Sequence, residues 1–273
     1  MRKIVDSNFL QDARLSEYLS ASTKNFVVLP DYVAMEQYKG NTLVSLRRSM
    51  AIVSTYPKQV IVLKGTLTVC GLRGREAGLQ RRMIDRDQTQ GFPLWCEQLQ
   101  NTVSQLAAER NGMLELGKEA TQHLDGLLTW AVRLPGAIKE MAQLYSADEL
   151  RILRTNTNFT PAIWSKIFGS VVRLAAIEFR THPKISKLPK SDELLNTFIF
   201  RFSLASYLWL LRIIEQGGSI THDGPRLRNT MVDTAIATYA TYFDGLLSSE
   251  KTLQSQYSRM LFILDALKSR PQV

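Results

Sequence analysis

The chain has 273 residues, of which 45% are apolar and 22% are charged, a balance that supports a substantial core and excludes an extended disordered protein. Its 34 Lys and Arg residues outnumber its 25 Asp and Glu residues. The resulting net charge of +9 favours a polyanionic partner, nucleic acid first and an anionic membrane second. The two cysteines, Cys70 and Cys96, offer neither a disulfide framework nor a metal-ligand spacing.

The sequence carries no clear signal for membrane insertion. The first residues, "MRKIVDSNFLQDARL", lack the long apolar stretch of a secretory signal. The most apolar window, 202–211, lies between Arg201 and Arg212 and is too short to cross a bilayer. We therefore expect a cytoplasmic protein without a membrane partner.

Four short apolar segments predict the strands of a small, mostly parallel sheet. They are residues 3–5 ("KIV"), 26–30 ("FVVLP"), 59–65 ("QVIVLKG") and 244–249 ("DGLLSS"). Because helical stretches lie between them, we expect an α/β fold with helices on both faces of the sheet.

Helix signals begin between the strands. After the second strand, Asp31 is expected to cap a helix that ends near Gly40. A further helix over about 42–56 has its apolar residues on one face. These residues are Leu43, Leu46, Met50 and Val53.

From about residue 76 to residue 216 the strand signals disappear. Thr160 as a cap and Pro161 at the first helical position predict a long amphipathic helix. Its expected apolar face consists of Ile163, Trp164, Ile167, Phe168, Val171 and Leu174. The segment 191–215 is apolar nearly all round, and 216–229 is predicted to be a loop. The four tryptophans, Trp95, Trp130, Trp164 and Trp209, lie on helical faces where core packing is expected.

The predicted organisation is therefore an α/β core interrupted by a large all-helical insertion. The core would be formed by residues 1–75 and 217–273, and the insertion by residues 76–216.

Four acidic residues that are distant in the sequence share one position relative to this sheet. Asp6 and Glu250 come just after strands, whereas Asp244 precedes its strand and is expected at the opposite edge. Glu36 lies early in a helix that leaves the first edge, and Asp233 lies early in a helix that starts there. Because open α/β sheets bind ligands outside the carboxyl ends of their strands, we expect the four acids to converge on one cleft.

Each acid also has an ordinary interpretation. Asp6 is typical of a strand-end turn, Glu36 of a solvated helix face, and Glu250 of a helix N-terminus. Asp233 is less ordinary, because its neighbours Val232 and Ala235 are apolar and a carboxylate is rarely buried without a partner.

A cluster of carboxylates indicates a divalent cation. Such groups raise one another's pKa unless a cation neutralises them. Mg²⁺ takes oxygen ligands and keeps several waters, and one or two such ions can activate a water that attacks a phosphodiester. The three histidines, His123, His182 and His222, lack zinc-like spacing, and 71–78 lacks the Lys-Ser/Thr ending of a P-loop.

Three segments resemble PIN-domain nucleases. "IVDSNFL" is similar to the opening strand of that family, "LPDYVAMEQYKG" to its second motif, and "NTMVDTAIATYATYFDGLLSSEKTL" to its closing region. The resemblance covers about 1–65 and 226–268. Two features depart from it: Glu250 stands where the family usually has Asp, and Glu36 and Asp233 are unusually far apart in sequence.

The resemblance implies a metal-dependent ribonuclease. Asp6, Glu36 and Asp233 would hold Mg²⁺ or Mn²⁺, and Glu250 would be a fourth, outer catalytic acid. Asn8 and Ser248 would be orienting hydrogen-bond groups. Arg226 and Arg228, expected just before the Asp233 helix, are candidates for phosphate contacts.

We therefore expect an endoribonuclease, with RNA preferred to DNA as the substrate. The helical insertion would shape the cleft or bind a protein partner, and an oligomer is compatible with the sequence. Two alternatives stay open, a DNA nuclease of the same architecture and a non-catalytic adaptor that uses the same scaffold. A toxin of a toxin–antitoxin pair, a phage-defence effector and an RNA-maturation enzyme would share these features.

Overall fold

The four predicted strands are present and form one parallel sheet. The computed structural model describes residues 1–38, 42–101, 134–155, 159–183, 185, 187–216 and 224–269, together with 115, 118, 119 and 122. The strands are β1 (Arg2–Val5), β2 (Phe26–Leu29), β3 (Val60–Val62) and β4 (Leu246–Leu247). The prediction of a small parallel sheet is confirmed.

The strand order is β3-β2-β1-β4, with every neighbouring pair parallel. In register, Ile4 lies between Val28 of β2 and Leu246 of β4. The chain therefore builds outward from β1 to β3 and later returns to add β4 on the other side of β1. The strand order thus reverses between β1 and β4, a position where α/β sheets form a crevice.

Helices account for most of the described chain and flank the sheet. In chain order they are α1 (Ala13–Ser20), α2 (Asp31–Tyr38), α3 (Thr42–Thr55), α4 (Thr66–Val69), α5 (Glu76–Met83), α6 (Arg86–Asn101), α7 (Leu134–Ala142), α8 (Ala147–Thr155), α9 (Pro161–Thr181), α10 (Ser191–Leu194), α11 (Phe198–Glu215), α12 (Gly224–Ala240) and α13 (Lys251–Lys268). Short 3₁₀ helices at Ser7–Gln11 and Pro57–Gln59 precede α1 and β3.

The apolar face predicted for α3 is buried where the structure describes it. Leu46, Met50 and Val53 are buried. Gly40 and the side chain of Leu43 lie outside the described part of the chain.

The apolar face predicted for α9 is largely correct. Thr160 accepts a hydrogen bond from the backbone N–H of Ile163 at 3.3 Å, as a capping residue does. The face is buried or half-buried along its length except at Phe168, which is exposed and has its ring centroid 6.2 Å from that of Phe200.

Helix α11 is central, as its apolar composition predicts. Its buried residues run from Phe198 to Ile214, and it packs against α9, α12 and α13. One contiguous hydrophobic core joins the sheet to this helix and to α13. The division of the chain into a core and an insertion stays a prediction.

The tryptophans differ in their burial. Trp164 is buried, whereas Trp95 and Trp209 are partly buried against the core. Trp130 lies outside the described residues, as do His123 and His222.

Several local expectations are wrong. The predicted loop 216–229 is helical from Gly224 onward. Pro225 is compatible with this helix because it falls in the first turn of α12, where its missing N–H costs nothing. Residues 217–223 lie outside the described chain. Asp233 therefore lies in the middle of its helix and not early in it, and Glu36 is likewise not early, because it lies in the second half of α2. Asp31 is not a cap that precedes α2 but the first residue of that helix, and its side chain is engaged by Thr66.

One extended contact has no counterpart in the sequence prediction. Leu63, directly after β3, forms an antiparallel bridge with Ile84, between α5 and α6. The backbone N–H of Lys64 donates to Met83 O at 2.8 Å, and that of Asp85 donates to Val62 O at 2.9 Å. This contact covers the outer edge of β3, which would otherwise expose unpaired backbone groups.

Candidate active site

All four acids singled out in the sequence line one cavity of about 250 Å³. Asp6 directly follows β1, and Glu250 separates β4 from α13. Glu36 belongs to α2, and Asp233 belongs to α12. The described residues that line this acidic cavity are Asp6, Ser7, Asn8, Glu36, Arg226, Asn229, Thr230, Asp233 and Glu250.

The position of the acidic cavity follows from the sheet topology. β1 and β4 are adjacent and parallel, so the residues that follow them leave the sheet at the same edge. This is the reversal point of the strand order, where neighbouring connections diverge and leave an opening. Strand pairing therefore brings Asp6 and Glu250 together, although they come from opposite ends of the sequence.

Asp6 is the most buried of the four acids, with 2% of its surface exposed. Its Oδ2 accepts a hydrogen bond from Ser248 Oγ at 2.8 Å, and its Oδ1 accepts one from Ser7 Oγ at 3.4 Å. Burial raises the pKa of Asp6 above its ordinary value, and these hydrogen bonds offset only part of that effect. The carboxyl group is thus held in one orientation by neutral donors.

Asn8 and Ser248 both form hydrogen bonds with the acids of the cavity. Asn8 Nδ2 donates to Glu250 Oε1 at 3.0 Å, and Ser248 Oγ accepts from the backbone N–H of Glu250 at 3.0 Å. Ser248 therefore connects Asp6 to Glu250.

Asp233 has a strongly perturbed carboxyl group in the acidic cavity. Its pKa is raised from 3.8 to about 8, first by burial and then by the nearby carboxylates of Glu250, Asp6 and Glu36. Since each of these groups acts on Asp233, the four acids form one interacting cluster. Asp244, by contrast, lies at the opposite edge of the sheet, where its Oδ2 accepts from the backbone N–H of Arg2 at 2.6 Å.

The two predicted phosphate-binding arginines have different surroundings. Arg226 is exposed and lines the cavity, whereas Arg228 is buried and does not line it. Both belong to α12, where two residues of separation turn a side chain by about 200° around the helix axis. The prediction placed both residues in a loop just before the Asp233 helix and therefore treated both as near the cleft.

Asn229 and Thr230 are cavity residues that the sequence analysis missed. With Arg226 and Asp233 they are spaced i, i+3, i+4 and i+7, which is one face of a helix. This polar stripe is visible in the sequence once α12 is taken to begin at Gly224.

A second missed group supports the same edge of the sheet. Asp31, just after β2, accepts hydrogen bonds from the Thr66 backbone N–H at 2.6 Å and from Thr66 Oγ1 at 2.7 Å. Thr66 Oγ1 also lies 2.9 Å from the hydroxyl of Tyr239. These bonds connect the start of α2, which carries Glu36, to α12, which carries Asp233.

The donor chemistry of the cavity fits a hard divalent cation, because the described residues that line it offer four carboxylates and neither sulfur nor imidazole. However, no group of three His, Cys, Asp or Glu side chains within the described ranges is already arranged as a metal site. Any cation held here would therefore share its coordination between carboxylates and water.

Comparisons of the chain with protein-family models, with characterised proteins and with solved structures give no match. Within the part of the chain that the structure describes, no helix is long and apolar enough to cross a membrane.

Proposed function

We propose that the protein is a PIN-like nuclease that hydrolyses phosphodiester bonds in RNA with a bound Mg²⁺ or Mn²⁺ ion. The observation that carries this proposal is the convergence of Asp6, Glu36, Asp233 and Glu250 on one cavity at the reversal point of a parallel sheet. The raised pKa of Asp233 supports it, because a cluster of partly buried acids is costly unless a cation joins it.

The residues of the cavity have distinct roles in this proposal. Asp6, Glu36 and Asp233 would hold the cation together with water. Glu250 is the outer acid, kept in place by Asn8. Ser248 fixes the orientation of Asp6, and Arg226 contacts a phosphate at the mouth of the cavity.

A bound ion would supply an activated water and would stabilise charge on the leaving oxygen. The protein positions the scissile phosphate between Arg226 and the acids. The net charge of +9 assists the approach of a polyanion to a site that is itself acidic.

The test is cleavage of labelled RNA by purified protein with Mn²⁺ or Mg²⁺. We expect Asp6→Asn and Asp233→Asn to lower the rate by at least about 100-fold, because each removes a ligand charge. Asp244→Asn is the matched control, since it changes the same residue type at the opposite edge of the sheet. Cleavage that survives Asp6→Asn and Asp233→Asn contradicts the proposal.

Two outcomes would point to the alternatives. Equal or faster cleavage of DNA in parallel digests would indicate a DNA nuclease of the same architecture. Absence of cleavage, together with no change in melting temperature on adding Mn²⁺, would favour a non-catalytic adaptor, because a ligand that binds the native state stabilises it.

A further inference from the structure

A larger cavity of about 800 Å³ adjoins the acidic cavity and shares Thr230 and Asp233 with it. Its walls come mainly from α11, α12 and α13, which pack against one another. We call this cavity the helical groove. Its lining includes two aromatic and three basic side chains, those of Trp209, Phe262, Arg212, Lys251 and Arg259. Its volume is within the range of ligand-binding cavities.

The helical groove presents aromatic surface. Phe262 of α13 is 47% exposed, and Trp209 of α11 is partly exposed. The ring of Phe262 packs against Phe159 and Trp164, with centroids 6.1 Å and 6.0 Å away. An exposed ring that its neighbours hold in place is suited to stacking against a flat ligand.

The helical groove also carries positive charge. Arg259 lies 3.2 Å from Glu215, so this pair is internally balanced. Arg212 lies one turn after Trp209 on α11, and Lys251 is the exposed first residue of α13. These two cations therefore bring positive charge to the groove from two different helices.

We propose that the helical groove binds the single-stranded RNA that extends from the scissile phosphate, with bases stacked on Phe262 and Trp209 and backbone phosphates contacted by Arg212 and Lys251. The inference rests on the proposed function for the identity of the strand. Continuity with the acidic cavity supports it, because a strand in the groove would lead directly to Asp233.

Single-stranded RNA fits this surface better than a duplex. Bases in a duplex are already stacked on one another, whereas the bases of a single strand are free to stack on aromatic side chains. The combination of aromatic rings with Arg and Lys is the usual composition of such surfaces.

The test measures the affinity of the full chain for a fluorescein-labelled single-stranded RNA of about 12 nucleotides, a length within the range that such surfaces cover. Fluorescence anisotropy is recorded in EDTA and over a range of salt concentrations. Phe262→Ala is expected to weaken binding by at least about 5-fold, because a base–aromatic stack is lost. Arg212→Gln is expected to weaken binding and to reduce the slope of log K against log salt by about 0.7, the value for one lost phosphate contact.

Two substitutions outside the groove are matched controls. Phe168→Ala removes another partly exposed ring, and Arg173→Gln removes an exposed cation, both on α9. Neither is expected to change the affinity or its salt slope.

Because this binding assay contains no active metal, its result is separate from the cleavage test. Wild-type affinity in Phe262→Ala and Arg212→Gln, or no binding of single-stranded RNA by the wild type, would overturn the groove proposal even if cleavage is observed. Tighter binding of a duplex of the same length would overturn it as well. If the acid variants lose cleavage activity while the affinity for single-stranded RNA is unchanged, the result is evidence about the proposed function and not about the groove.

Discussion

Two regions of the molecule bury charge in opposite ways. Arg201 of α11 is fully buried, and its guanidinium lies 3.1 Å from Glu76 and 3.9 Å from the centroid of the Tyr242 ring. It also donates to the backbone oxygens of Leu195 and Thr241, at 3.0 Å and 2.9 Å. In the acidic cavity, by contrast, the carboxylate of Asp233 is surrounded by three further carboxylates.

The pKa shifts of Glu76 and Asp233 reflect this difference in surroundings. Burial alone would raise the pKa of Glu76, but Arg201 and Lys268 bring it below its ordinary value. For Asp233, burial and the neighbouring charges act in the same direction and raise the pKa to about 8. The Arg201 region is therefore compensated within the fold, whereas Asp233 lies among like charges, an arrangement that agrees with the cation site we propose.

The prediction with the largest expected effect concerns the stability contributed by Arg201. Arg201→Met should lower the free energy of unfolding by about 3–5 kcal/mol, because it removes a buried partner and leaves the carbonyl acceptors of Leu195 and Thr241 without a donor. Urea denaturation measures the loss. Lys268→Met is the control, since Lys268 contacts the same Glu76 from the surface, where an ion pair contributes about 1 kcal/mol or less. Similar losses for both variants would contradict the comparison.

The second prediction concerns added cation. At a Mn²⁺ concentration of about 100 times the dissociation constant, binding at the acidic cavity should stabilise the protein by about 2.7 kcal/mol. Thermal melting with and without Mn²⁺ measures this gain. It should be strongly reduced in Asp233→Asn and unchanged in Asp244→Asn. An equal gain in all three proteins would mean that the ion binds elsewhere.

The third prediction concerns pH, with the cation removed by chelator. Folding raises the pKa of Asp233 from 3.8 to about 8, so the folded state binds the proton more tightly than the unfolded state. This group therefore destabilises the native protein progressively as pH rises from about 4 to about 8. Asp233→Asn removes this cost, and we expect the variant to be more stable than the wild type by about 1–3 kcal/mol at pH 8. The gain is limited to this range because solvent screens part of the repulsion at this half-buried carboxylate.

Near pH 4 the difference between Asp233→Asn and the wild type should be close to zero, because the side chain at position 233 is neutral in both folded proteins. Denaturant titrations at about pH 4, 6 and 8, which span that range, provide the measurement. A difference that does not change with pH would show that folding does not raise the pKa of Asp233.

The sequence predicts the acidic cavity better than it predicts the helical groove. Asp6 and Glu250 follow apolar strands, and parallel pairing brings the ends of such strands to one edge. The orientation of Arg228 could not be found in this way, because it depends on where α12 begins. The groove was missed because Trp209 and Phe262 come to line one cavity only when α11 packs against α13, and each alone has the periodicity of a core residue.

The smallest expected effect concerns the neutral donors that hold the acids. Ser248→Ala removes the 2.8 Å hydrogen bond to Asp6 and the acceptor of the Glu250 backbone N–H, so it should cost about 1 kcal/mol of stability and slow RNA cleavage. The adjacent Ser249→Ala is a matched control, because Ser249 is exposed and contacts Asp12 and Arg14 away from the cavity. If Ser249→Ala slows cleavage as much as Ser248→Ala, the slower cleavage cannot be assigned to the lost hydrogen bond between Ser248 and Asp6.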